Sequence, residues 1–159
     1  MKFIVSKKII DNRAVYTSVL WMVIFLLIAM VLNLVAKGID FGTTPAQWIN
    51  TIFGNEAEFL DPLTIKDLLL TLHTELFGLI LLFVLISALL MRTSRSKNLK
   101  MPLLLSGIVS LVIYPLGLLA SLSIGNFAIS LAWGAFVLFH LLMIGSAMDI
   151  LILLLRKRF

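Results

Sequence analysis

The chain contains no cysteine. That excludes disulfides, thiolate-held iron–sulfur clusters, thioether-attached haem and cysteine-ligated zinc, and it leaves the compartment open. Charge is scarce too: 13% of the 159 residues are charged and 61% are hydrophobic, where a soluble domain carries about 25% charge. Also missing are a phosphate-binding glycine loop, a zinc-protease helix motif and a paired nucleophile and base, so soluble-type catalysis is not expected. What remains is an integral membrane protein. Four apolar runs, 15–36, 68–91, 102–124 and 127–155, reach the roughly 20 residues that a helix needs to cross a bilayer core. They are continuous rather than alternating, which predicts helices and not barrel strands. The first run is too long for a signal-peptide core and is expected to remain as a span. With no internal repeat or linker, residues 1–159 read as one all-α domain, a four-helix up-down bundle.

Basic residues are unevenly placed. Eleven of the thirteen lie before the first run, between the second and third, or at the chain end; only Lys37 and Lys66 flank the first connection. By the positive-inside rule both termini are expected in the cytoplasm, and the protein in the cell (inner) membrane. The net charge of +5 then reflects topology anchors, and no nucleic-acid partner is expected. The opening MKFIVSKKIIDNR reads as a segment lying on the membrane surface through Phe3, Ile4, Ile9 and Ile10, or as the start of the first helix.

The long first connection, 37–67, has internal structure. TTPAQWINTIFG places Pro45 at a first helical position and Gly54 as a stop, which predicts a short helix over 45–53. Trp48, Ile49, Ile52 and Phe53 would share one face, with the tryptophan at headgroup depth, and the helix could cover the outer end of the bundle. Thr64 and Asp67 resemble a capping box that opens the second span. In the third span Ser106, Ser110, Gly117 and Ser121 form a small-residue stripe that lets backbones approach, and Pro115 is expected to kink it.

Two histidines, His73 and His140, stand inside apolar runs. Ionisable residues there are costly and point to function. His73 is 19 residues from Arg92 and His140 is 16 from Arg156, which places them about 28 and about 24 Å from the basic end. The same counting brings Ala29 to Leu32, with Asn33 just beyond, and Leu116 to Leu119 into that layer. Haem b needs two axial imidazoles at one depth between apolar walls. Leu69, Leu70, Leu76, Phe77, Phe136, Val137, Met143 and Ile144 lie three or four residues from the histidines and would line such walls.

In this respect the chain resembles the four-helix membrane b-type cytochromes, including the haem b anchor subunits of respiratory dehydrogenases. The resemblance implies electron transfer between the quinone pool and a redox partner, with His73 and His140 as iron ligands and Gly117 making room for the macrocycle. It rests on the bundle and one histidine pair, with no family motif matched. The partners it implies are lipid, quinone and other membrane subunits or a second copy.

Glu75, two residues after His73, is turned by about 200° from it. It is expected to face another seam or water at the rim, or to handle protons beside a quinone site. Two other functions remain open: a structural or assembly subunit without cofactor, in which the histidines pack, and a metal or small-ion transport component.

Overall fold

In the computed structural model, which describes residues 13–93 and 96–156, the chain forms five α-helices. They are α1 (Arg13–Phe41), α2 (Pro45–Phe53), α3 (Ile65–Arg92), α4 (Lys97–Ile124) and α5 (Asn126–Leu155), with a 3-10 turn at Glu56–Glu58. The surface segment expected at 1–12 lies outside the described residues. α1, α3, α4 and α5 are each long and apolar enough to cross a membrane; α2 lies in the connection from α1 to α3, and the later connections are short. This is the up-down bundle expected from four separated hydrophobic runs.

The middle of the bundle is α5. It packs on α1, α2, α3 and α4, whereas α1 and α3 meet only sparsely. The α4–α5 seam is the tightest because small residues line it. A Cβ on Gly117 would stand 3.0 Å from the Ala128 carbonyl oxygen and from Ala132 Cβ, so Gly117 is spent on helix packing and offers no room for a macrocycle. Ser110 and Ser121 are buried beside it. Ser106 faces outward and Gly107 takes its place in the stripe. α4 continues as one helix through Pro115, and Gly125, at φ 77°, closes α4 and opens α5.

The first connection is shorter than expected because α1 continues five residues past position 36, to Phe41. The physical reason is visible in its buried residues, Val23, Leu26, Met30, Lys37 and Phe41. These keep the three- and four-residue spacing of one helix face, so the face carries the helix onward through Lys37. Lys37 is therefore part of the core and not a loop cation.

α2 forms where the capping signals place it. Thr44 accepts from the Gln47 amide, and Gln47 Oε1 receives the backbone N–H of Thr43 at 2.8 Å and of Thr44 at 3.1 Å. Gly42 makes the sharp link from α1: its φ is +88° and an added Cβ would lie 2.3 Å from Gln47 Cβ. Its carbonyl accepts from Trp48 Nε1 at 2.9 Å. Trp48, expected to lie on the face of an interfacial helix, is turned into the bundle. The ring is 1% exposed and plugs the end of the bundle against Phe41, Tyr114 and Phe136. α3 opens with the expected cap, Thr64 Oγ1 accepting from Asp67 N at 3.2 Å.

At the opposite end Lys100 folds back over the end of α3. It donates to the carbonyls of Thr93 at 2.6 Å and Met91 at 3.2 Å, supplying donors that the last turn of a helix otherwise lacks. Replacing Lys100 by Met should cost about 1–3 kcal/mol, the usual loss when buried acceptors lose a charged donor. Lys66→Met, at an exposed position, should change stability by less than about 0.5 kcal/mol. Reversible unfolding in bicelles would compare the two; equal effects would contradict the capping role of Lys100.

Candidate functional site: a buried ion pair beside a membrane cleft

One turn before its end, α1 carries Lys37 into the bundle. Its Nζ is 2.8 Å from Glu75 Oε2 on α3, and the two side chains are 5% and 9% exposed. Tyr114 on α4 donates its phenolic O–H to the same oxygen. Both donors use Oε2, which leaves Oε1 to the space beyond. Around the ammonium stand aromatic faces from four helices. Its nitrogen is 3.8 Å from the centroid of Phe41, 5.3 Å from Trp48, 5.6 Å from Tyr114 and 6.0 Å from Phe136. A cation in such a box gains attraction from the ring quadrupoles where water cannot reach. Its remaining N–H groups are thereby directed at carbon rings.

Helix spacing explains the assembly. Asn33, Lys37 and Phe41 recur at four-residue intervals on α1, and Phe136 and His140 do so on α5, so each set shares a face. Glu75 falls in the buried stripe of α3 that runs through Leu68, Leu72, Leu79 and Ile86. Tyr114 lies between Ser110 and Gly117 on the packed face of α4. Its signal in the sequence was this place in the small-residue stripe, where a large polar side chain has to enter the core.

His140 is fully buried one turn from Phe136, with ring centroids 4.2 Å apart. Its Nδ1 is 2.9 Å from the Phe136 carbonyl oxygen, and its Nε2 is 2.9 Å from Asn33 Oδ1. Asn33, which depth counting had placed at the edge of this layer, is its partner. His73 is on the other side of α3, exposed, in one stripe with Phe77, which is 74% exposed. Leu69 and Leu70 share that outward face. Phe136 and Met143 are buried, on the His140 side alone.

The residues present do not fit a haem b held between His73 and His140 of one chain. One ring faces out, the other has both nitrogens engaged, and Gly117 is filled by α5. The depth count put the histidines in one layer, but helix rotation separates them. Glu75, about 200° around α3 from the outward His73, is turned into the core, in the seam with Lys37 of α1 and Tyr114 of α4.

Between α1 and α3 the sparse contact leaves a cleft of about 360 Å3, lined by Asn33, Ala36, Lys37, Asp40, Thr71, Thr74, Glu75 and Gly78. Ala36, Asp40 and Thr74 are exposed, so the cleft opens to the side of the bundle. Thr74 Oγ1 is already bonded to the Leu70 carbonyl at 2.9 Å. Toward the basic end the core is mostly apolar, through Val23, Leu26, Ile86, Met143 and Ile150, with Ser146 buried among them and its Oγ bonded to the Leu142 carbonyl. Among the described residues no group of three metal-ligating side chains converges.

Removing one partner of a buried ion pair leaves the other charge uncompensated, which costs about 3–5 kcal/mol. Glu75→Gln and Lys37→Met should each destabilise on that scale, while the double variant should recover most of the loss. His73→Gln should stay within about 0.5 kcal/mol of the wild type. A double-mutant cycle on unfolding in bicelles measures the coupling, and additive losses would show that the pair is not formed.

No curated protein and no solved structure matches the chain. Residues 42–159 match a family described as a transmembrane helical domain, and this stretch takes in α2 to α5 and the Glu75, Tyr114 and His140 positions. The chain, a multi-pass membrane protein, belongs to the Aq_1264_TM family of transmembrane helical domains.

Proposed function

We propose that this protein is a membrane subunit that binds the hydroxyl head of a lipid-soluble quinol in the cleft between α1 and α3, with Glu75 as the group that takes the ligand's proton. It would sit in the cell membrane with its basic end in the cytoplasm, the cleft then opening in the outer half of the bilayer. Haem b held by His73 and His140 is not part of this reading.

The observation that carries it is the direction of the polar atoms. Lys37 and Tyr114 both donate to Glu75 Oε2, and Lys37 is otherwise enclosed by rings. The wall of the cleft therefore offers an acceptor, Glu75 Oε1, with a second carboxylate, Asp40, near the mouth. A hydroxyl can donate to both carboxylates, which a carbonyl cannot. The volume falls in the range of about 300–1,000 Å3 typical of small-molecule sites. The ligand would reach a cleft that opens sideways from the lipid, as a lipid-soluble molecule must. Among the described residues the core below is mostly apolar, which makes a transmembrane ion path the less favoured reading.

An assembly subunit is the second reading. The same lateral opening favours it, because a polar helix of a partner would also cover the cleft.

Binding of a short-chain quinol to the protein in nanodiscs, measured by calorimetry without oxygen, tests the proposal. Saturable binding to the wild type is expected, with affinity lower by at least about tenfold, roughly 1.4 kcal/mol, in the folded Lys37→Met/Glu75→Gln double variant. Equal affinity in the two proteins would sink the quinol site and leave the assembly reading.

A further inference from the structure

His140 is more than a buried packing residue, because its two ring nitrogens place contradictory demands on its protons. The Phe136 carbonyl can only accept, so Nδ1 must carry a hydrogen and donate it across the 2.9 Å contact. Nε2 faces Asn33 Oδ1 at 2.9 Å, and two lone pairs cannot bond. Either the ring carries two protons, or the Asn33 amide is turned so that its NH2 donates to Nε2. The two ends of an amide have nearly the same size and shape, so turning it changes no packing.

Charge decides between the two. The charged groups near this ring are Lys37 from α1 and Glu75 from α3; Phe136 and Phe139 pack on the ring itself, and Tyr114 of α4 and Trp48 of α2, neither of them charged, pack on Phe136. The single carboxylate among them already accepts from Lys37 and Tyr114. An imidazolium here would be a second buried cation with no anion of its own, a costly state. The neutral ring with its hydrogen on Nδ1 satisfies every partner once the amide is turned.

We infer that His140 is a second proton acceptor of the cleft site, held in the Nδ1–H tautomer by the Phe136 carbonyl and capped at Nε2 by the Asn33 amide. The inference rests on the proposed quinol site and adds the residue that would meet the ligand's second hydroxyl. Asn33 lines the cleft while its end group covers Nε2, so rotation of one exchangeable side chain exposes the lone pair to a ligand. A carbonyl bond at one imidazole nitrogen orients the other and strengthens it as an acceptor, the same arrangement that tunes histidines at metal centres.

The chain's having only two histidines makes the test direct. Protein labelled with 15N-histidine is placed in lipid bilayers and studied by magic-angle-spinning NMR, with His73→Gln identifying the His140 signals. Without ligand at neutral pH, His140 should show one protonated nitrogen, Nδ1, and one unprotonated nitrogen, Nε2. Two protonated nitrogens, or a hydrogen on Nε2 alone, would overturn the inference whatever the ligand. Short-chain quinol is then added at concentrations that calorimetry shows to saturate the protein. The Nε2 resonance should move toward the protonated range, and His73 signals, in wild-type protein, should not move. Quinol that binds without moving Nε2 overturns the role of His140 and leaves the Glu75 site standing. Failure of calorimetry to detect binding overturns both.

Discussion

A lysine and a glutamate that meet inside a membrane bundle constrain everything around them. Separately, neither charge is tolerable in that position; together, with a phenol on the same carboxylate oxygen and aromatic rings around the ammonium, they form a neutral unit. The unit draws on all five helices. Lys37 and Phe41 come from α1, Trp48 from α2, Glu75 from α3, Tyr114 from α4 and Phe136 from α5. It is a layer of the bundle to which every helix contributes a side chain. Packing in lipid alone is not directional, since the tails outside are as apolar as the side chains within.

Two departures from a plain four-span bundle follow from that unit. α1 has to run past its most hydrophobic stretch to deliver Lys37 and Phe41, so it ends at the glycine that turns the chain. α2 then has to fold inward rather than lie flat, because the ammonium needs a roof from which water is excluded. Trp48 supplies it, and the bond from its indole to the Gly42 carbonyl ties the roof to the end of the helix that carries the lysine. The cost of this geometry falls between α1 and α3. Both are held by α5 and the ion pair rather than by each other, and the gap left between them is the cleft.

The proposed chemistry depends on the same asymmetry. Polar atoms gather at the α2 end, and apolar side chains fill the core toward the basic end. That asymmetry suits the proposed group, which binds and deprotonates a membrane-soluble ligand, better than one that passes ions through. Any electron acceptor would have to meet the ligand at or near the cleft, from a partner subunit or cofactor.

Much of the fold was legible in the sequence, for reasons of length and polarity. Hydrophobic runs long enough to cross a bilayer, the capping residues Thr44, Pro45, Gly54 and Thr64, and the turn at Gly125 are local signals, and the helices begin and end close to where they point. Depth along a helix was legible as well, since a rise per residue is fixed, and it brought Asn33, His73 and His140 near one layer. Rotation is not contained in depth. His73 and Glu75 differ by two residues and hence by more than half a turn, so only one of them can face the core. The buried stripes through Leu72, Glu75 and Leu79, and through Met30, Lys37 and Phe41, carried that information, but a lysine beside a composition break reads as a loop until its partner is known. The sequence by itself determined the number of spans and the place of each polar group along its helix. Only the tertiary structure decided which of those groups meet, because a contact between helices depends on the rotation of both, and that is set by the whole bundle at once.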